Sequence, residues 1–185
     1  MATENLERAF ASTRNVLSNV RSDQLDDPTP CISWDVRTLI NHIVGGSHWF
    51  AASTNAGVAP DVPDTDFASG DFVASYDEGV KASLAAFGAP GAQEKIVKLP
   101  FGEFPGSAWM GLATMDTFQH GWDLAKATGQ DTDLDPDLAA GLLANAGIPD
   151  QFRGPDGQAP FGQQVDADDS APPASQLAAY LGRAT

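Results

Sequence analysis

The chain has a single cysteine, Cys31, among its 185 residues. One thiol excludes an internal disulfide framework and a cysteine-based zinc knuckle. Basic residues are also scarce: 10 Lys and Arg stand against 25 Asp and Glu, giving a net charge of -15 and a pI near 4.2. A field of that sign repels phosphate backbones and anionic bilayers, so neither nucleic acid nor a membrane is an expected partner, despite four tryptophans. No apolar run reaches the roughly 18 residues that would span a bilayer. The opening MATENLERAF lacks the basic flank and apolar core of a secretory leader, so the expected location is cytoplasmic. The acid-rich stretches 61–71, 131–137 and 166–169 lack the 12-residue calcium-loop pattern with its closing Glu. They read as solvated surface.

Apolar residues make up 42% of the chain, and its length suits one main core. Residues 4–20 form an amphipathic helix through Leu6, Phe10, Thr13, Val16, Leu17 and Val20. The segment 22–33 holds Pro28 and Pro30 and reads as a stiffened loop; Ser33 or Asp35 caps the next helix, 35–56. That helix buries Val36, Leu39, Ile40, Ile43, Ser47 and Phe50, and carries His42 on the flank. Gly45 and Gly46 each cost a helix roughly 1 kcal/mol relative to alanine, which points to close approach of a backbone or a ligand. A third helix spans 71–87 and a fourth 109–128; between them, EKIVKL and PFGEFPG suggest a short hairpin whose Phe101 and Phe104 roof a cavity or seal a core edge. Two shorter helices, 135–146 and 175–183, complete the chain. The expected fold is all-α: a four-helix bundle with long connections over residues 1–130, and a small C-terminal helical cap over 131–185 packed on it as part of one structural domain.

The fourth helix aligns Trp109, Leu112, Ala113, Asp116, His120, Leu124 and Ala127 at spacings of three and four. Two ionisable groups therefore fall where a core should be apolar, and an unpaired buried carboxylate costs several kcal/mol unless a partner charge, a hydrogen-bond network or a metal relieves it. Asp116 and His120 at i and i+4 place their donor atoms over the same part of the helix surface, as helix-borne metal ligands do. A buried ion pair without metal satisfies the same pattern. His42 alone reads as a histidine hydrogen-bonded at the core margin; joined to Asp116 and His120 it makes a two-histidine, one-carboxylate set with an open coordination position, the arrangement of a catalytic rather than a structural zinc. Such a site activates either a thiol or water. His48 is expected not to ligate, Cys31 to be structural, Trp34 to be core, and Asp123 to orient a ligand or cap a loop. Arg153 is a candidate for neutralising an acidic substrate or cofactor.

Two segments carry a family likeness. TPCISWDVRTLINHIVGG and MDTFQHGWDLAKATG resemble the paired motifs of the DinB-like superfamily, in its mycothiol-dependent maleylpyruvate isomerase-like branch, and the closing QLAAYLGR is similar to the tail of actinobacterial members. The resemblance implies a DinB-type bundle binding a divalent metal, zinc or nickel, through His42, Asp116 and His120, with Asp at a position where relatives often have Glu. It also implies that the open position receives the thiolate of a low-molecular-weight thiol such as mycothiol. The expectation is a metal- and thiol-dependent transferase or isomerase acting on a small electrophile; the alternatives are a non-catalytic metal or ligand sensor of the same fold, or a metal-dependent hydrolase. A homodimer is left open.

Overall fold

Short polar residues start the two helices that matter most for packing. Asp35 accepts the Thr38 backbone N–H at 2.8 Å and opens α2 (Val36–Ala56), and Asp71 accepts from Ala74 at 2.9 Å to open α3 (Phe72–Phe87). With α1 (Glu4–Leu17) and α4 (Gly106–Ala127) they form the bundle; two further helices, α5 (Pro136–Asn145) and α6 (Pro173–Tyr180), follow. The computed structural model describes residues 3–155, 159, 161–168 and 170–184, so Asp169, at the end of one acid-rich stretch, lies outside the described residues. None of the described helices is long and apolar enough to cross a membrane.

The helices pack in a ring: α1 lies on α4 and α3, and α2 on α3 and α4. Two of these contacts are unusually close because glycines stand at them. A Cβ on Gly79 of α3 would lie 2.0 Å from the Ser47 Oγ of α2, and one on Gly121 of α4 would lie 2.3 Å from the Thr13 Oγ1 of α1. Hydroxyls bridge the same contacts: Ser83 donates to the Ser47 carbonyl at 2.6 Å and Thr13 to the Thr117 carbonyl at 2.9 Å. The core collects Leu6, Phe10 and Leu17 of α1, Leu39 and Ile40 of α2, Tyr76 and Phe87 of α3, and Phe118, Trp122 and Leu124 of α4.

The hairpin lies where the sequence places it. Strands β1 (Ile96–Leu99) and β2 (Gly102–Pro105) pair antiparallel, Val97 opposite Phe104, and pack against α4. Helices α5 and α6 pack on one another, α5 reaching α1 and α6 reaching α4. The face of α4 matches the expected stripe in part: Trp109, Ala113 and Leu124 are buried as expected, but the burial extends further toward α1. Its buried residues run through Ala113, Thr117, Phe118, Gly121, Trp122 and Ala125, so Asp116 and His120 stand on its margin, not in the core. The small side chains Thr117 and Gly121 turn that side of the helix onto α1, and Asp116 and His120 rotate toward α2.

Candidate functional site

Because α2 and α4 are neighbours in the ring, His42 faces Asp116 and His120 across their interface. His42 Nε2 lies 3.6 Å from Asp116 Oδ2, and His120 Nε2 lies 3.6 Å from Asp116 Oδ1. These separations are too long for hydrogen bonds. The three groups each bring a donor atom within 4.8 Å of the others. Four ligands held tetrahedrally at about 2.0–2.1 Å from a zinc ion stand about 3.3 Å apart, so the spacing fits a shared cation. The Nε2 of His42 is buried and has no hydrogen-bond partner, which is costly for a polar atom unless a ligand takes it up. The donor set fits a divalent metal on this ground. Partial burial pushes the Asp116 carboxyl up, and the neighbouring His120 and His42 outweigh it, leaving it below the ordinary carboxylate range.

His120 is oriented from behind. Its Nδ1 lies 3.0 Å from Asp123 Oδ2; an ionised carboxylate only accepts, so Nδ1 carries the proton and Nε2 is the atom turned toward Asp116. Asp123 is 0% exposed. It also accepts from Arg183 through Nε at 2.9 Å and Nη2 at 3.1 Å, from Gln119 Nε2 at 3.2 Å, and from the Cys31 thiol at 3.3 Å. Burial would raise the Asp123 carboxyl, but the His120 hydrogen bond and the Arg183 charge hold it at about 2. Burial likewise disfavours charge on His120, and the Asp116 and Asp123 carboxylates overcome this to raise it to about 10. A histidine held by a carboxylate on the far side of its ring is the usual support of a metal-ligating imidazole.

Cys31, His120 and Asp123 also have donor atoms within 4.8 Å of one another. The Arg183 guanidinium already supplies the positive charge there, on both carboxylate oxygens and 3.3 Å from the Cys31 sulfur, and it disfavours a metal ion in that corner. Cys31 is thus buried in the support of the site. Trp34, expected in the core, packs on both histidines, with ring centroids 4.7 Å from His42 and 5.6 Å from His120. His48 is spent elsewhere: its Nε2 donates to the Ser75 carbonyl at 2.9 Å and its ring stacks on Phe67. Arg153 does not line the cavity; it donates to the Gly162 and Tyr180 carbonyls and stacks over the Tyr180 ring at 4.6 Å. The cation that sequence reasoning missed is Arg183, whose signal was its place in the tail QLAAYLGR.

The triad opens onto a cavity of about 660 Å³. Trp49 and Phe50 of α2, Phe101 and Phe104 of the hairpin, and Trp109 and Leu112 of α4 line it together with Ile148, Phe152 and Phe161 of the C-terminal segment, so the hairpin phenylalanines line a cavity. The Trp49 and Trp109 rings meet edge to face at 5.4 Å.

Comparison with known proteins agrees with the architecture. The family model described as the mycothiol maleylpyruvate isomerase N-terminal domain matches residues 6–125. Two uncharacterized proteins of Mycobacterium tuberculosis, one from strain CDC 1551 / Oshkosh and one from strain H37Rv, are each 42% identical to this chain over 189 residues, covering 99% of it and 96% of their own length. No solved structure matches. With helices α1 to α4, the hairpin before α4 and both motif segments in place, the chain has a DinB-like helical fold and belongs to the mycothiol maleylpyruvate isomerase N-terminal domain family.

Proposed function

We propose that the chain binds a divalent metal, zinc or nickel, through His42, Asp116 and His120, and serves as a metal-dependent enzyme that activates a small thiol of the mycothiol kind for transfer to, or isomerisation of, an electrophile held in the adjacent cavity. The observation that carries this reading is the convergence of the two histidines on the Asp116 carboxylate at 3.6 Å each, with the His42 Nε2 buried and unpartnered beside an apolar cavity. Two imidazoles and one carboxylate suit zinc and nickel better than calcium or magnesium. When bound, such an ion supplies the positive charge that lowers the pKa of a thiol or a water beside it.

The chain's own residues do the rest. Asp123 fixes the tautomer and ring plane of His120, and Arg183 balances the Asp123 charge. Trp34 packs against both ligand rings and limits their rotation. The aromatic wall gives the cavity beside the triad a largely apolar surface against which the body of a substrate can pack.

Elemental analysis of untagged protein beside His42→Ala and His120→Ala tests the reading. Near-stoichiometric zinc or nickel, absent from both variants, is expected, together with conjugation of mycothiol to model electrophiles above the rate of free metal. Metal without turnover would favour a sensor or binding protein, and hydrolysis of esters without thiol would favour water as the nucleophile. A native protein that takes up no metal on reconstitution refutes the proposal.

A further inference from the structure

We infer that the cavity takes an elongated amphiphile, its electrophilic polar head held at the triad and its alkyl or aryl tail reaching about 10 Å along the groove between α2 and α4. This rests on the proposed function for what happens at the head, and it names the substrate class of that site. The helices meet at two places that line the same cavity. At one, His42 of α2 faces Asp116 and His120 of α4. At the other, Trp49 and Phe50 of α2 each place a ring centroid 5.4 Å from that of Trp109 on α4. From the first place to the second, α2 advances from His42 to Trp49 while α4 goes back from Asp116 to Trp109. The helices therefore run antiparallel, and the two places stand two helical turns, about 10 Å, apart.

The two ends differ in chemistry. Groups able to hold a polar head gather at the triad: His42, whose Nε2 is buried without a partner, Asp116, His120, and Gln119, whose Oε1 is likewise buried and unpartnered. A head that fills the open metal position is accepted there whether it is neutral or anionic. The other end offers carbon. The Trp49 indole N–H is given to the Pro60 carbonyl at 3.2 Å and that of Trp109 to Ser53 Oγ at 3.1 Å. Phe101 lies against Trp109, with ring centroids 6.4 Å apart. A polar tail would give up its water there without a replacement partner. Val62 and Phe101, both exposed, form the rim of that end, where a longer tail emerges into solvent.

Between the ends, α2 presents Gly45 and Gly46 to the cavity. A Cβ at Gly45 would meet Phe67 at 3.6 Å and one at Gly46 would meet Phe50 at 3.7 Å, ordinary contacts that the fold tolerates. Packing does not require glycine at either position. Their bare backbone leaves the passage from head to tail unobstructed.

The test is calorimetric titration of the full chain with two homologous series: straight-chain hydroxamic acids, whose head chelates zinc or nickel, and straight-chain alcohols, which need no metal. In the metal-loaded protein, affinity for the hydroxamic acids is expected to rise about three- to fourfold per methylene from acetyl to roughly octanoyl, and then to level off. Gly46→Phe, which sets a ring across the middle of the passage, is expected to weaken octanohydroxamic acid about tenfold and acetohydroxamic acid by less than about twofold. Phe101→Ser, a change at the exposed rim, is expected to weaken the octanoyl compound about threefold and to spare the acetyl one. Affinity that does not change with chain length, equal losses for long and short homologues in both variants, or no binding of either series would overturn the inference. The alcohols, titrated after chelation, separate it from the metal reading. A protein that takes up no metal, yet shows the same rise with alcohol length and the same loss in Gly46→Phe, defeats the metal reading and leaves this one standing. A metal-loaded protein that binds acetohydroxamic acid as tightly as octanohydroxamic acid does the reverse.

Discussion

Replacing Arg183 with Met would leave the Asp123 carboxylate at 0% exposure with its strongest compensating charge removed. Arg183 is itself largely buried, its side chain 14% exposed, so solvent screens the pair little. Breaking a buried pair by removing one partner costs about 3–5 kcal/mol. In a chain of this length that corresponds to a fall in Tm of about 6–20 °C. The neutral double variant, Asp123→Asn with Arg183→Met, is expected to recover much of the loss, because Asn can still accept the His120 Nδ1 proton and no unpaired charge stays buried. Urea unfolding of the native protein, both single variants and the double variant, all with chelator present, gives the coupling energy free of any metal contribution. A coupling below about 0.5 kcal/mol, with the two single losses simply adding, would show that the pair is not the electrostatic support described above.

Two further outcomes follow from the same structure. The raised pKa of His120, about 10 against an ordinary 6.5, contributes stability to the metal-free protein that is complete below about pH 6.5 and lost as pH rises toward 10. Since a metal must displace that proton from Nε2, zinc affinity measured between about pH 6 and 8 is expected to rise about tenfold per pH unit, with one proton released on binding; a flat profile would refute the protonation state. Gly121→Ala forces a methyl into the Thr13 side chain, 2.3 Å from its Oγ1, and is expected to destabilise the protein by about 1–3 kcal/mol in thermal or urea unfolding. An unchanged midpoint would mean that α1 and α4 can separate freely.

Much of this was legible in the sequence, for identifiable reasons. Asp35, one of two cap candidates with Ser33, announces α2 because a short polar side chain ahead of an apolar period commonly serves as an N-cap; Asp71 was readable only as the first residue of α3, and the structure makes it that helix's cap. The hairpin was readable from a β-prone run followed by a glycine-containing turn. His42, Asp116 and His120 are brought together as expected, since i and i+4 on one helix and a motif histidine on another leave little freedom once the helices are adjacent. The rotation of α4 was not readable. Its buried face depends on Thr117 and Gly121 fitting against α1, and small or hydroxyl-bearing residues give no hydrophobic signal. Arg183 escaped for a different reason: it lies 60 residues from Asp123, and spacing along the chain says nothing about a pairing of that range. Trp34 read as core because an aromatic before a helix usually is; that it packs on the histidines depends on the path of the 22–33 loop.

The link between Arg183 and Asp123 also changes what the ends of the family match mean. The matched region, residues 6–125, contains the three candidate ligands and the carboxylate behind them, but the neutralising guanidinium comes from position 183. A chain cut after residue 130 would keep the ligand set and lose its counter-ion, so His120 would be held by a carboxylate with its charge unanswered. Swapping tails between relatives would then act as a graft on the electrostatics of the centre. Variation that looks peripheral in the C-terminal segment would retune the basicity of an imidazole in the bundle.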